Sequence, residues 1–124
     1  KEAILEYKLL GCGQRYYLLE VKLCTGRHHQ IRCQLAKIGC PIKGDLKYGF
    51  PRSNEGGGIS LHARSITFTH PVKQEKITIV APPPLNDTLW KFFYENYKKR
   101  ARKNRALYLY LLSFKDLFNF INND

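Results

Sequence analysis

The stretch YYLLEVKLCTGRHHQIRCQLAKIG, residues 16–39, decides how the chain folds. In its first third Tyr17, Leu19, Val21 and Leu23 fall on one side, with Glu20 and Lys22 opposite. That period of two predicts a half-buried strand. After Thr25-Gly26 the period lengthens, and Ile31, Leu35 and Ile38 stand at helical spacing until Gly39, just before Pro41. This predicts a short helix over 28–38 with those three residues on its buried stripe. Arg32 lies about 100° around from Ile31, at the edge of the stripe, where a long side chain reaches the rim of the core.

Upstream, Ala3, Leu5, Tyr7 and Leu9 alternate in the same way, and Gly11-Cys12-Gly13-Gln14 suits a loop, so the chain opens on a β-hairpin. Downstream, residues 40–58 are rich in Gly and Pro and read as a long functional or mobile connection. Gly56-Gly57-Gly58 reads as its flexible tip, because no Gly-Lys-Ser/Thr follows to make a phosphate loop. Alternation returns over 59–69 with a change of phase that predicts a bulge near Arg64-Ser65. A short strand follows at 76–80, beyond the loop around His70-Pro71. Past Pro82-Pro83-Pro84, Asn86 or Asp87 offers an N-cap for a helix burying Leu89, Phe93 and Tyr97. The fold class expected is α+β with a mixed or antiparallel sheet. Residues 1–98 form the main unit, and 99–124 a basic and then apolar tail. Residues 106–121 show no clean period, which leaves three roles open: packing on the core, binding a partner, or being foreign to the fold.

Twenty-one Lys and Arg against ten Asp and Glu give the 124 residues a net charge of +11. The excess sits in two segments, +5 over residues 27–52 and +6 over 91–105, while the rest of the chain is balanced. Clustered positive charge points to a polyanion, nucleic acid first, with an anionic membrane or solubility alone behind it. No run of 18 apolar residues offers a membrane span. Cys12, Cys24, Cys33 and Cys40 show no Cys-x-x-Cys pair and follow no signal peptide. Reduced, buried thiols in a cytoplasmic protein are therefore expected. With no Met anywhere, Lys1 reads as an internal position of a longer chain.

The segment Thr25 to Arg32 puts two cations, two imidazoles and an amide where a strand turns into a helix, a setting that suits a phosphate or carboxylate. Against this stands a plain polar capping segment. Cys24, His28, His29 and Cys33 do not follow a usual structural zinc spacing. A triad of Ser60, His62 and Asp45 lacks a nucleophile elbow.

Together with the Thr25–Arg32 run, the segments Gly39-Cys40-Pro41-Ile42-Lys43-Gly44-Asp45, Tyr48-Gly49, Leu61-His62-Ala63, Phe68-Thr69-His70-Pro71 and Ala81-Pro82 resemble, in order and spacing, the C-terminal half of an RluA-type pseudouridine synthase. The resemblance runs from residue 3 to about 98. It implies isomerisation of uridine to pseudouridine in structured ribosomal or transfer RNA. In that family an aspartate attacks the nucleoside, the glycosidic bond breaks, and the base turns and rejoins through carbon 5, with neither cofactor nor metal. Arg32 matches the arginine that pairs with the catalytic aspartate, which fits its place at the edge of the helix stripe. Arg27, His29, Lys43 and Arg64 are candidates for RNA phosphates from charge and neighbourhood alone.

The chain also departs from the family. The His-Arg-Leu-Asp segment that carries the aspartate is missing, and the aspartates present are Asp45, Asp87, Asp116 and Asp124. Asp45 matches a structural position, and the family's tyrosine near the target base belongs upstream. His28 stands where Thr is usual, and Cys40 where His often is. The isolated chain is thus expected to be catalytically silent. Two other roles stand beside that one: a non-catalytic RNA-binding module, and an interaction fragment that self-associates or pairs with the missing N-terminal half.

Overall fold

The computed structural model describes residues 2–97 and the backbone of 107–113. Strands β1 (Leu5–Cys12) and β2 (Tyr16–Leu23) form the expected hairpin, with Leu5 opposite Leu23 and Tyr7 opposite Val21. The register shifts between Leu9 and Gly11, which lets β1 run on to Cys12 and leaves only Gly13–Arg15 as the turn, shorter than the sequence suggested. Gly11 is required at that shift, because a Cβ there would stand 2.5 Å from the ring of Tyr97. Helix α1 (Gln30–Lys37), strands β3 (Leu61–Thr69) and β4 (Lys76–Val80), helix α2 (Thr88–Tyr97) and strand β5 (Leu107–Ser113) follow. All strand pairs are antiparallel, in the order β1-β2-β5-β3-β4.

Two apolar clusters sit on opposite faces of the first hairpin. Tyr17, Leu19 and Val21 meet Ile31 and Leu35 of α1, together with Cys40 and Ile42 just beyond it. On the other face Leu10 and Leu18 meet Trp90 and Phe93 of α2. The half-buried reading of β2 is therefore corrected: the alternation was real, but Leu18 gives the second face an apolar anchor that α2 covers. Each such buried side chain contributes roughly 1.5–3 kcal/mol. α2 is capped by Asp87, whose Oδ1 accepts the N–H groups of Leu89 at 2.9 Å and Trp90 at 3.2 Å. Its deepest residues are Trp90 and Phe93, with Leu89 and Tyr97 flanking, so the stripe is turned slightly from the one expected.

The connection after α1 is not a loose loop. Cys40, Ile42, Asp45 and Phe50 are buried in it, and Leu46–Tyr48 forms a 3-10 turn. The β3–β4 hairpin has the predicted strand over 76–80, and the register of β3 against β5 shifts between Ala63 and Ser65, where the phase of the sequence changes. Of the tail, the backbone of β5 lies between β2 and β3. The basic run from Lys98 to Arg105 and residues 114–124 lie outside the described residues.

Candidate functional site

Between β2 and α1 the chain must turn sharply, and Gln30 organises the turn. Its buried side chain accepts hydrogen bonds at Oε1 from the Thr25 hydroxyl at 2.7 Å and the Arg27 N–H at 2.9 Å. Its Nε2 donates to the carbonyl of Ile4 at 3.0 Å. The preceding residue, His29, takes the left-handed conformation with φ 51°, which shifts the start of α1 from the expected residue 28 to Gln30. Histidine is one of the non-glycine residues that adopt this region more readily. The rings of His28 and His29 stack at 3.8 Å.

One turn into α1, Arg32 meets Asp45. Nε donates to Oδ2 at 2.9 Å and Nη2 to Oδ1 at 2.8 Å, a two-pronged ion pair. The Asp45 side chain is 1% exposed and that of Arg32 is 20% exposed. A third donor, Nη1, points at His29 Nε2 at 3.1 Å, and the guanidinium lies over the Tyr48 ring, 4.9 Å from its centroid. His29 Nδ1 sits 2.9 Å from the Tyr48 hydroxyl. Hydrogen bonding to Asp45 raises the pKa of Arg32, against the opposing effect of burial. That of His29 is lowered, first by burial and then by the nearby charges of His28, Arg32 and Lys47, with Asp45 acting the other way. Two of the five guanidinium N–H groups have no partner among the described residues.

Of the four residues proposed for phosphates, only His29 touches Arg32. Arg27 donates from Nε to the Glu2 carbonyl at 3.2 Å. Lys43 is bonded to Asn54 and lies 5.5 Å from the Tyr16 ring centroid, in a separate cleft of about 780 Å3 that also includes Asn86 and Trp90. Arg64 donates to the Ala81 carbonyl at 2.7 Å beneath Tyr94. Two residues of the constellation were not among the site residues expected from the sequence. Tyr48 sits three residues after Asp45, a spacing that a 3-10 turn brings together. Gln30 carried only the mark of one amide among cations.

Ser60, His62 and Asp45 do not form a triad: Ser60 is bonded to Asn54, His62 faces the Ala81 carbonyl, and Asp45 holds Arg32. Among the described residues no group of three or more His, Cys, Asp or Glu is placed to hold a metal. No helix among them is long and apolar enough to cross a membrane. No disulfide joins the four cysteines, and the expectation of buried thiols holds only for Cys40. Cys12 ends β1, Cys24 follows directly after β2, and Cys33 lies on the outer side of α1; all three are exposed.

Over 84 residues the chain is 39% identical to YlyB, an uncharacterized RNA pseudouridine synthase of Bacillus subtilis, a match that covers 68% of the chain and 28% of the relative. Ribosomal large subunit pseudouridine synthase D of Xylella fastidiosa is 37% identical over 97 residues, covering 68% and 29%. tRNA pseudouridine synthase C of Haemophilus ducreyi is 39% identical over 90 residues, covering 67% and 36%. No family model and no solved structure matches. The chain thus spans about a third of the length of these curated relatives.

Proposed function

We propose, since the chain belongs over its matched stretch to the RluA-type RNA pseudouridine synthases, that it carries the arginine side of a site that isomerises uridine in ribosomal or transfer RNA. The observation behind this is Arg32, braced along one edge by Asp45 and left with two unused donors. Such a cation at the rim of a core keeps an incoming carboxylate ionised and oriented, which is what a nucleophilic aspartate needs. Asp45 is a poor candidate for that nucleophile itself, because it is 1% exposed and both of its oxygens are held by Arg32. The His-Arg-Leu-Asp segment that would carry the aspartate is not in these 124 residues. Reaching a stacked uridine also needs cations that grip the RNA backbone, and the net +5 over residues 27–52 supplies them. The site of action is the cytoplasm on this reading, in keeping with cysteines that form no disulfide.

The test is a tritium-release assay on uridine-labelled ribosomal RNA, run beside a binding titration at several salt concentrations. The expected result is binding that weakens steeply with salt and no release. Turnover by this chain alone would overturn the assignment of the nucleophile to other sequence, and failure to bind at low salt would remove RNA as the partner.

A second proposal concerns pairing with the remainder of such an enzyme. Ile66, Phe68 and Ile79 of the β3–β4 hairpin are 55%, 40% and 53% exposed, an apolar face that supports a role in docking that part. A chain that stays monomeric and soluble at high concentration, and does not bind the N-terminal two thirds of the B. subtilis relative, would count against it.

A further inference from the structure

We propose that His29 and Tyr48 form a proton-sensitive clamp that orients Arg32, so that His29 is a positioning residue and not a phosphate ligand. This rests on the reading of Arg32 given above but is tested separately from it. An arginine can only donate, so His29 Nε2, 3.1 Å from Nη1, must be the acceptor. A neutral imidazole with a bare Nε2 carries its proton on Nδ1, which then donates to the Tyr48 hydroxyl at 2.9 Å. Both ring nitrogens are therefore in use, and neither is left for a phosphate. Asp45 fixes one edge of the guanidinium, Tyr48 lies against its face, and His29 fixes the third nitrogen, so the two remaining N–H groups have one direction to point.

The left-handed backbone of His29 gives this arrangement its geometry. In that conformation the ring stands 3.1 Å from Arg32 in the first turn of α1. Outside glycine such a conformation persists only where the surroundings enforce it. The groups facing His29 are His28 beside it, Arg32 on α1, and Asp45, Lys47 and Tyr48 around the 3-10 turn. All but Asp45 and Tyr48 are cationic or can become so. Protonation of His29 takes away the acceptor on Nε2 and sets a second cation against Arg32, so the clamp opens on acidification while the ion pair with Asp45 remains.

The experiment follows the Arg32 Nη resonances by NMR in the full chain, free of RNA, between pH 7.5 and 5.5. Slow-exchanging, resolved signals at the upper pH should broaden on acidification in the native chain. In His29→Asn, whose side chain tolerates the left-handed backbone but has no proton to gain, the signals should show no such broadening and only sharpen as base-catalysed exchange with water slows. Tyr48→Phe, which keeps the ring under Arg32, should weaken the clamp already at pH 7.5. Affinity for a ribosomal RNA fragment gives the second reading. Relative to His29→Asn, the native chain should lose roughly two- to tenfold over the same range, the scale of one hydrogen bond. Arg32 signals that sharpen on acidification in the native chain, as in His29→Asn, would overturn the clamp. Signals that change as expected, with no RNA binding by either chain, would leave the clamp standing and remove the function proposed above.

Discussion

The molecule contains two hairpins with similar strand chemistry and opposite surroundings. In β1–β2, α1 covers one face and α2 the other, and Leu19 and Val21 are 0% exposed. In β3–β4, Ile66 faces Ile79 and Phe68 faces Ile77 across the ladder, yet Ile66 and Ile79 remain more than half exposed. Alternation specifies a strand, and what covers it is decided elsewhere in the chain. The site belongs to the covered hairpin, because α1 has to be packed down on β2 before Arg32 has a fixed direction.

The largest effect should come from hollowing out the covered hairpin. Leu19→Ala removes a fully buried side chain at the contact with α1 and should cost about 2–5 kcal/mol in urea unfolding. Ile66→Ala in the other hairpin should cost well under 1 kcal/mol, as expected of a residue that is 55% exposed. Equal losses at both positions would mean that the second hairpin is as well covered as the first, and the comparison would fail.

Next comes Asp45→Asn. A fully buried ion pair that loses one partner costs about 3–5 kcal/mol. Arg32, with a side chain 20% exposed, can recover some hydration, so roughly 2–3 kcal/mol is expected here. The same change should loosen Arg32 and weaken RNA binding. Full stability and unchanged binding would show that Asp45 does not hold the arginine.

Gly11→Ala should follow, at about 1–3 kcal/mol, the usual range for overpacking, since the new methyl would press on the ring of Tyr97. Tyr97 also donates to the Cys12 carbonyl at 3.2 Å, which limits its room to move. Gly11→Ala with Tyr97→Leu should restore part of the loss, because the flat ring is what the methyl meets.

Both hairpins, α1 and its stripe, the bulge near Arg64-Ser65 and the Asp87 cap could be read from the sequence, because periodicity and capping are local signals. So could the place of Arg32 at the edge of that stripe. The two covered faces of β2 could not, since one leucine, Leu18, in a polar register does not announce a helix arriving seventy positions later. Nor could the partnership of Arg32, His29, Asp45 and Tyr48. It depends on a left-handed turn at His29 and a 3-10 turn at Leu46–Tyr48 within what looked like a loose, glycine-rich connection. Glycine and proline show that a chain bends there, while the burial of Cys40, Ile42 and Phe50 is what makes the bend rigid.

The smallest effect expected is on the pH dependence of stability, and it belongs to the covered hairpin. His29, in the covered region, is the group with a lowered pKa, so the unfolded chain takes up its proton first as the solution is acidified. Its contribution is complete above the ordinary value of 6.5, declines as the pH falls through 6.5 toward the lower folded value, and levels off below that. His29→Asn should therefore flatten the stability curve between pH 7.5 and 5.5 in chemical unfolding. A curve that kept its slope in His29→Asn would place the pH-sensitive element elsewhere, and Arg32 would keep its orientation without help from His29.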